Sequence, residues 1–408
     1  MNLLKKTLRP FFPNKDESET NEAILDMVEE VCVDKIEPHA ADMDRVGAQL
    51  VGGKVVTPTP MPEIVELFRQ NDLFGLTGPE RYDGADLSWA LNNAVLDRVS
   101  RADVSAGIYL ALQATLVDYL NRYGSEEAKQ HYLPDLIAGK RLGGFLYTEP
   151  GSGSDLGSIK TTAVKEGDRY VVNGEKIFIS NAGVADTYSF LASTDPSKGS
   201  RGLTAFVLDA RNQEGFQVTR LEEKLGIHAS PTGQIVLDNV EIPVEDVLGK
   251  VGKGFGTILY GLVSSRIGIG AQAAGVADAA YRRAVAYVHE RSQFGKPIIA
   301  FQGNQWKVAD MATQLHLART AYLHASRLKD MGQDFGTESS IAKVYGSEAA
   351  QSVTYEAIQL LGGYGYVREY DVERYYRDAR VTTLYEGTSE VQRLIISRAE
   401  TERLAGKK

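Results

Sequence analysis

The stretch TTAVKEGDRYVVNGEKIFIS, at residues 161–180, decides the fold class, because it places short β-type segments between two long helical regions. It is rich in Val, Ile, Thr, Tyr and Phe, which favour strands. A Gly-Asp pair at 167–168 and an Asn-Gly pair at 173–174 separate its apolar runs, and such pairs are typical of hairpin turns. Further segments of the same kind occupy residues 188–192, 203–209 and 234–240. The pattern predicts an antiparallel β-barrel or sandwich.

Helical patterns precede this β-region. Residues 15–140 carry apolar residues at i, i+3 and i+4 spacing. The clearest examples lie at residues 22–33, 63–71 and 91–99. A Gly/Pro-rich stretch at 51–62 interrupts them and predicts a loop insertion, whereas Ser125 is placed to cap a helix.

Beyond the β-region the chain is helical again. Long alanine-rich segments with helix-period apolar faces occupy residues 258–290, 305–331 and 340–361. Long helices with short connections are typical of an antiparallel bundle. We therefore expect an α+β multidomain fold, with a helical domain at residues 1–143, a β-domain at 144–250 and a C-terminal four-helix bundle at 251–408.

Composition excludes several classes of function. The 408 residues are 43% hydrophobic and 24% charged, which is ordinary for a globular protein, and the net charge of −9 argues against nucleic-acid binding. Cys32 is the only cysteine, so disulfides within the chain and cysteine metal clusters are excluded, and the six histidines show no metal-ligand spacing. The apolar runs are too short for a signal sequence or a membrane span. We expect a cytoplasmic protein with no metal and no integral membrane segment.

A carboxylate in an unusual setting lies in Tyr385-Glu386-Gly387-Thr388-Ser389-Glu390. Glycine lets the backbone approach a ligand closely, and a carboxylate packed beside an aromatic ring can be partly desolvated. Desolvation raises its basicity, so Glu386 is a candidate general base. For this pattern alone, a solvated turn is the alternative.

The glycine-rich segment TEPGSGSDLG, at residues 148–157, is a second candidate. A dinucleotide-binding loop would need a helix after it, but β-type sequence follows. We expect its backbone N–H groups, with the hydroxyls of Thr148 and Ser154, to bind a polar ligand. A plain surface turn is the alternative.

Three further segments offer ligand contacts as well as ordinary structural explanations. Phe178 and Ser180 share one face of a strand, where they could stack on a flat ring and bond its edge, or belong to the core. Arg291 could pair with a phosphate, or simply favour the end of a helix. The glycines of QLLGGYGY, residues 359–366, exceed what one helix cap needs and indicate close approach of a ligand or neighbouring chain.

Together these segments resemble the acyl-CoA dehydrogenase family over nearly the whole chain. Further segments look like markers of that family: LTGPERYDGADL at 76–87, SRAD at 100–103, YGSEE at 123–127 and KLGIHAS at 224–230. The motifs occur in the family's order on the helix–β–helix layout, which makes the resemblance specific.

The resemblance implies FAD, an acyl-CoA substrate, electron-transfer flavoprotein as the acceptor, and a homotetramer built as a dimer of dimers. Glu386 would remove the α-proton of the thioester while the β-hydrogen leaves as hydride to flavin N5, giving the 2-enoyl-CoA. The implied FAD contacts are Phe145, Thr148, Gly153, Ser154, Phe178, Ser180, Arg291, Phe294, Gln359, Gly362, Gly363 and Thr388. The implied substrate contacts are Ser154, Arg266, Tyr385 and Gly387.

Within the FAD set, the resemblance divides the roles. Phe178 and Ser180 would sit against the isoalloxazine, and Thr388 would contact the pyrophosphate. The ADP half would be held across a subunit boundary by Arg291, Phe294, Gln359, Gly362 and Gly363.

Some positions depart from common family patterns. Phe178 stands where many members have Trp, and Ser180 where many have Thr. Ser265 stands where isovaleryl-type and long-chain members carry the base, which disfavours that variant. Residues 105–112 lack the Arg with which glutaryl-type members hold a distal carboxylate. We expect a short, medium, branched or cyclic acyl group.

Three alternatives remain on the same fold. Oxidases share most of these residues but tend to be longer, and an enoyl-CoA reductase would run the same chemistry backwards. A catalytically silent flavoprotein is the third, and the presence of Glu386 argues against it.

Overall fold

The computed structural model describes residue 11 and residues 15–211 and 213–406. The first helices are α1 (Lys15–Val31), α2 (Glu37–Val46), α3 (Pro60–Gln70), α4 (Trp89–Ala102), α5 (Val104–Tyr123) and α6 (Glu126–Ile137). A π-helical turn (Cys32–Ile36) joins α1 to α2. The three helical segments predicted in this region are confirmed.

Side-chain caps begin three of these helices, and at the start of α4 Ser88 Oγ accepts a hydrogen bond from Leu91 N at 3.2 Å. Asp103 Oδ1 accepts a hydrogen bond from Ala106 N at 2.8 Å at the start of α5. Ser125 Oγ accepts one from Ala128 N at 3.0 Å, which confirms the predicted cap of α6. Each cap satisfies a backbone N–H that has no partner inside the helix.

Part of the stretch predicted as a loop, residues 51–62, forms a hairpin instead. β1 (Gln49–Val51) pairs antiparallel with β2 (Lys54–Val56). Gly52 and Gly53 form the turn, with φ of +57° and +79°. A two-residue hairpin turn of this kind requires positive φ at both central positions, which glycine adopts without strain.

The middle of the chain forms one eight-stranded sheet. Its strands are β3 (Gly143–Leu146), β4 (Thr162–Glu166), β5 (Arg169–Ser180), β6 (Thr187–Ser193), β7 (Leu203–Asp209), β8 (Phe216–Leu221), β9 (Thr232–Pro243) and β10 (Val247–Leu248). The strand order is β10-β7-β6-β4-β5-β9-β8, and β3 pairs with β6. Most pairings are antiparallel, as predicted, whereas β3 and the start of β4 pair with β6 in parallel. The sheet encloses its own apolar core.

The Asn-Gly pair at 173–174 does not form the hairpin turn that its sequence predicts. Both residues lie inside β5, which pairs with β9 on both sides of a bulge at this point. A Cβ added at Gly174 would lie 2.6 Å from Cβ of Thr161, so glycine here permits close strand approach. The Gly-Asp turn at 167–168 is confirmed, since Glu166 pairs with Arg169.

The last part of the chain is a helical bundle. Its helices are α7 (Gly254–Glu290), α8 (Gln302–Asp330), α9 (Gly336–Leu361), α10 (Val372–Ala379) and α11 (Ser389–Leu404). A short hairpin of β11 (Ser292–Gln293) and β12 (Lys296–Pro297) follows α7. Among the residues described, no helix combines the length and apolarity needed to cross a bilayer.

A buried ionic network joins the first helices to this bundle. Arg319 of α8 donates to both carboxylate oxygens of Asp97 in α4, at 2.8 and 2.9 Å. Its Nη2 also lies 3.0 Å from Asp278 of α7, and the Tyr322 hydroxyl donates to Asp97 at 2.9 Å. All four side chains are buried. Because these charges are compensated by one another, the network fixes three helices in one arrangement.

A second polar junction links α2, the loop before β9 and α10. His228 Nδ1 lies 2.8 Å from Asp44 Oδ1, and Arg377 Nη2 lies 2.6 Å from Asp44 Oδ2. The hydrogen bond to Asp44 raises the pKa of His228 to about 9. Burial would raise the pKa of Asp44, but hydrogen bonds from His228 and Arg377 hold it well below its usual range.

Replacing Arg319 by Met should destabilise the fold strongly, because Asp97 and Asp278 would keep buried charges without compensation. We expect a loss of about 3–5 kcal/mol in the free energy of unfolding, measured by denaturant titration. Arg282→Met is the matched control, since Arg282 pairs with the same Asp278 from a side chain that is 44% exposed. The control should cost no more than about 1 kcal/mol. Equal losses in the two variants would contradict this account of the network.

The His228 junction should make stability depend on pH. The pKa of His228 rises on folding from about 6.5 to about 9, so its contribution is complete below the unfolded value. The contribution is lost as the pH rises through about 9. Thermal unfolding of wild type and His228→Asn should therefore show the largest gap in melting temperature near pH 6, shrinking towards pH 10. A gap that stays constant with pH would argue against a protonated His228.

Candidate active site

A small cavity lies where the first helices, the sheet and α7 meet. Its volume is about 30 Å³, and α4, α5, α7, β3 and the loop before α11 form its walls. Its lining residues are Trp89, Asn92, Asn93, Leu96, Ala111, Leu112, Ala114, Thr115, Phe145, Ser264, Ser265, Gly268, Ile269 and Glu386. Two of the predicted site residues, Phe145 and Glu386, thus meet in one cavity.

The backbone of Glu386 is held in a left-handed conformation, with φ of +54°, which is uncommon for a residue with a side chain. Arg266 Nε and Gln392 Nε2 each donate to its carbonyl oxygen at 3.3 Å. Gly387 follows with φ of +87°, and a Cβ there would lie 2.5 Å from Gln392 Nε2. Glycine is therefore required at 387, and the surrounding hydrogen bonds compensate the strain at 386.

The carboxylate of Glu386 accepts a hydrogen bond from Ser265 Oγ at 2.5 Å. Burial raises the pKa of this carboxyl, while the Ser265 hydrogen bond and the charges of Arg266 and Lys343 act in the opposite direction. Burial prevails, so the pKa stays above its ordinary value. A carboxylate in this state is a stronger base than one in water.

The residues beside Glu386 have partners of their own. The Tyr385 hydroxyl donates to Gln272 Oε1, and burial raises the pKa of Tyr385. Thr388 Oγ1 accepts from Val391 N at 3.4 Å and caps α11. The cap by itself accounts for a threonine at position 388. The contact of Thr388 with a flavin pyrophosphate stays a prediction.

A buried ion pair anchors the glycine-rich segment. Glu149 accepts hydrogen bonds from Thr161 Oγ1 at 2.5 Å and from Lys176 Nζ at 2.8 Å, and Lys176 is fully buried. On the outer side, Ser154 is exposed, and a Cβ added at Gly153 would meet no atom within 4 Å. The segment therefore has a fixed base and an open outer surface.

Phe178 lies next to this segment and is not a core aromatic. Ile177 N donates to the carbonyl of Thr148 at 3.0 Å, which joins β5 to the segment. Phe178 has φ of +56° at a second bulge in β5, and its side chain is 60% exposed. Ile179 is buried while Ser180 is only half-buried, so Phe178 and Ser180 both lie away from the core, which decides against the core alternative for Phe178.

These residues fit the FAD that the family resemblance implies. Phe178 offers an uncovered aromatic face, and Thr148 and Ser180 are half-buried with hydroxyls available nearby. Gly153 leaves the space open, and Phe145 lines the cavity of Glu386. A flat ring stacked on Phe178 would satisfy each of these features.

The remaining predicted cofactor residues form a second group. Its members are Arg291, Phe294, Gln359, Gly362 and Gly363. The Arg291 guanidinium lies 5.7 Å from the centre of the Tyr364 ring, which follows the two glycines. Phe294, in the turn between β11 and β12, is 93% exposed. Gly362 ends α9 with φ of +61°, and a Cβ at either glycine would meet no atom within 4 Å.

The two groups lie towards opposite ends of α9 in one chain. Lys343, on α9, is close enough for its charge to act on Glu386, and Gln359 follows Lys343 by sixteen helical residues. At 1.5 Å per residue this separation is about 24 Å. The structure therefore brings the predicted residues together as two clusters and not as one.

Sequence reasoning overlooked several residues of the site. Lys176 carried a usable signal, because a lysine at a core-facing strand position needs a buried partner such as Glu149. Gln392 and Lys343 carried no such signal, since both look like ordinary polar residues of amphipathic helices. Ser265 was noticed only as a position without a base, and its hydrogen bond to the carboxylate was not foreseen.

Comparison with known proteins agrees with this geometry. The acyl-CoA dehydrogenase N-terminal, middle and C-terminal domain families match residues 18–140, 144–240 and 252–401. Together these matches span most of the chain and confirm the predicted fold class.

Individual relatives cover nearly the full length. A short-chain-specific acyl-CoA dehydrogenase of Clostridium acetobutylicum is 40% identical over 92% of this chain and 96% of its own. A 3-(aryl)acrylate reductase of Clostridium sporogenes is 39% identical over 93% and 98%. The solved butyryl-CoA dehydrogenase of Megasphaera elsdenii gives a TM-score of 0.88 at 36% identity, covering 93% of this chain and 98% of that one. The chain belongs to the acyl-CoA dehydrogenase family of flavoprotein oxidoreductases.

Proposed function

We propose that this chain oxidises an acyl-CoA thioester to the 2-enoyl-CoA with FAD as cofactor. The observation that carries the proposal is the Glu386 carboxylate, which lines the cavity together with Phe145 and is hydrogen-bonded by Ser265. One fixed carboxylate in the wall of a small cavity suits removal of a single proton from a bound carbon acid.

Glu386 acts as the base for the α-proton. The α C–H bond breaks, the proton goes to the carboxylate, and the electron pair develops as enolate-like charge on the thioester. The α C–H group is a very weak acid, so a carboxylate can remove its proton only if the enolate-like charge on the thioester is stabilised. The resemblance implies that the backbone N–H of the base itself and a flavin ribityl hydroxyl would stabilise this charge, and Arg266 and Gln392 hold the carbonyl of the same residue in place.

FAD, when bound, supplies the acceptor for the hydride that leaves the β-carbon. We assign its ring end to Phe145, Thr148, Gly153, Ser154, Phe178 and Ser180. We assign its pyrophosphate to Thr388 and its ADP end to Arg291, Phe294, Gln359, Gly362 and Gly363. The separation of the two clusters along α9 supports a cofactor shared between subunits of a homotetramer, with the ADP end held by a neighbouring copy.

The cavity favours a small acyl group. Its volume is about 30 Å³, so the side chains that line it leave little free room. Trp89, Leu96 and Leu112 line it with large side chains. We propose a short acyl chain, linear, branched or cyclic, in line with the short-chain name of the Clostridium acetobutylicum relative. Arg266, Tyr385, Gly387 and Ser154 would contact the thioester side.

The reverse reaction is the second candidate. The Clostridium sporogenes relative, at 39% identity over nearly the whole chain, is named as a reductase of 3-(aryl)acrylates. A base that removes the α-proton in one direction returns it in the other, so the geometry of Glu386 serves both directions. For the oxidative direction we propose electron-transfer flavoprotein as the acceptor.

The proposal is tested by mixing the purified flavoprotein anaerobically with straight, branched, cyclic and aryl acyl-CoAs and following the flavin absorbance. Bleaching by short saturated thioesters is the expected result. Bleaching by none of them, with reoxidation of the reduced protein by enoyl-CoAs, would assign the reductase direction. No response to either class would indicate a catalytically silent flavoprotein. Rapid reoxidation of the reduced protein by oxygen would indicate an oxidase.

Replacing Glu386 by Gln should slow flavin reduction by about 10²–10⁴-fold, because the amide cannot take the α-proton. Flavin content and melting temperature should stay close to those of wild type. Glu390→Gln is the matched control, since it makes the same chemical change four residues away at an exposed position, and should reduce the flavin at the wild-type rate. Rapid bleaching of the Glu386→Gln protein would refute the assigned base.

A further inference from the structure

Lys343 is a buried cation near the proposed base. Its side chain, on α9, has no exposed surface. Its Nζ forms no hydrogen bond with any residue that the structure describes. Burying an ammonium group in this way is costly unless an opposite charge compensates it. The position of Lys343 therefore calls for a nearby carboxylate.

Among the charged side chains that act on Lys343, Glu386 has the largest electrostatic influence. Arg266 on α7, Glu390 on α11 and Glu348 on α9 have smaller influences. Glu390 and Glu348 are exposed, so water screens their charges. Glu386 is thus the carboxylate that compensates the buried ammonium.

Close contact between α7 and α9 creates this arrangement. A Cβ added at Gly270 would lie 3.0 Å from the carbonyl oxygen of Ala342, and one at Gly346 would lie 3.1 Å from that of Gly270. Arg266 lies one helical turn before Gly270, and Lys343 one turn before Gly346. The crossing therefore places two cations beside the loop that carries Glu386.

We infer that Lys343 is a positioning residue for the reaction, whose buried positive charge keeps the Glu386 carboxylate ionised and ready to accept the α-proton near neutral pH. Arg266 already donates to the backbone carbonyl of Glu386, so Lys343 is the cation with no other hydrogen-bonding role among the described residues. This inference rests on the proposed function, since it concerns the same base.

The effect should be confined to neutral and acidic pH. Burial lowers the pKa of Lys343 to about 8, so the side chain is cationic at pH 7 and loses its charge above that value. Burial raises the pKa of Glu386, and Lys343 and Arg266 lower it, so removing Lys343 raises it further. Tyr147 and Tyr385 also face Glu386, but burial raises the pKa of each, and both stay neutral in this range.

The test compares wild type with Lys343→Met and Lys343→Gln between pH 6 and 9. The measured quantity is the anaerobic rate of flavin reduction by the acyl-CoA that bleaches wild type. Both variants should be roughly tenfold slower at pH 6.5 and should converge with wild type above about pH 8.5. The same slowing factor at every pH would show a structural role and overturn the inference. A wild-type pH profile in Lys343→Gln would also overturn the inference, because it would assign the effect of Lys343 on the rate to hydrogen bonding and not to charge.

Stability gives a second readout. When Lys343 is replaced by Met, Glu386 can take up a proton and Ser265 still donates to it, so no uncompensated buried charge remains and the melting temperature should stay close to that of wild type. Variants that unfold or lose flavin would show that Lys343 is structural, again overturning the inference. Lys224→Met is the matched control, since burial also lowers the pKa of Lys224 to about 8 but its charged neighbours are Asp378 and Glu222. It should keep the wild-type pH profile.

The outcome separates this inference from the proposed function. If no acyl-CoA bleaches wild type, the proposed function fails. If wild type is bleached and the Lys343 variants slow in parallel at all pH values, only the role of Lys343 fails.

Discussion

One constraint governs the site: the residue that carries the carboxylate, Glu386, adopts a left-handed backbone conformation at the wall of a small cavity. Glu386 adopts this conformation because Arg266 and Gln392 bind its carbonyl and because Gly387 leaves room for the Gln392 amide. Each partner comes from a different helix or from the next turn of chain. The position of Glu386 therefore depends on how rigidly α7 and α11 pack around it.

The rest of the fold supplies that packing and sets the electrostatics. The Arg319 network holds α4, α7 and α8 together, so it ties α4, one wall of the cavity, to the helix that carries Arg266. Burial makes Glu386 a stronger base, whereas two neighbouring cations keep it ionised. These effects oppose each other, and a useful base needs both, because a carboxyl that is always protonated accepts no proton.

Much of the fold could be predicted because its signals are local. Hydrophobic periodicity fixed the type of the long helices, and the Gly-Asp pair at 167–168 marked a real turn. The Asn-Gly pair at 173–174 gave a wrong prediction of a turn, because β5 pairs with β9 on both sides of it and this pairing overrode the local turn preference. Of the site, Glu386 was found through its setting between Tyr and Gly, whereas Gln392 and Lys343 were missed because their roles depend on contacts between helices far apart in sequence.

The most direct test of the account is exchange of the α-hydrogens of a short acyl-CoA with deuterium oxide, measured by mass spectrometry without an electron acceptor. It isolates proton removal from the redox step and from the identity of the acceptor. We predict that the wild-type flavoprotein catalyses the exchange and that Glu386→Gln, with its flavin retained, does not. Exchange at the wild-type rate in Glu386→Gln would contradict the account, because another group would then be the base.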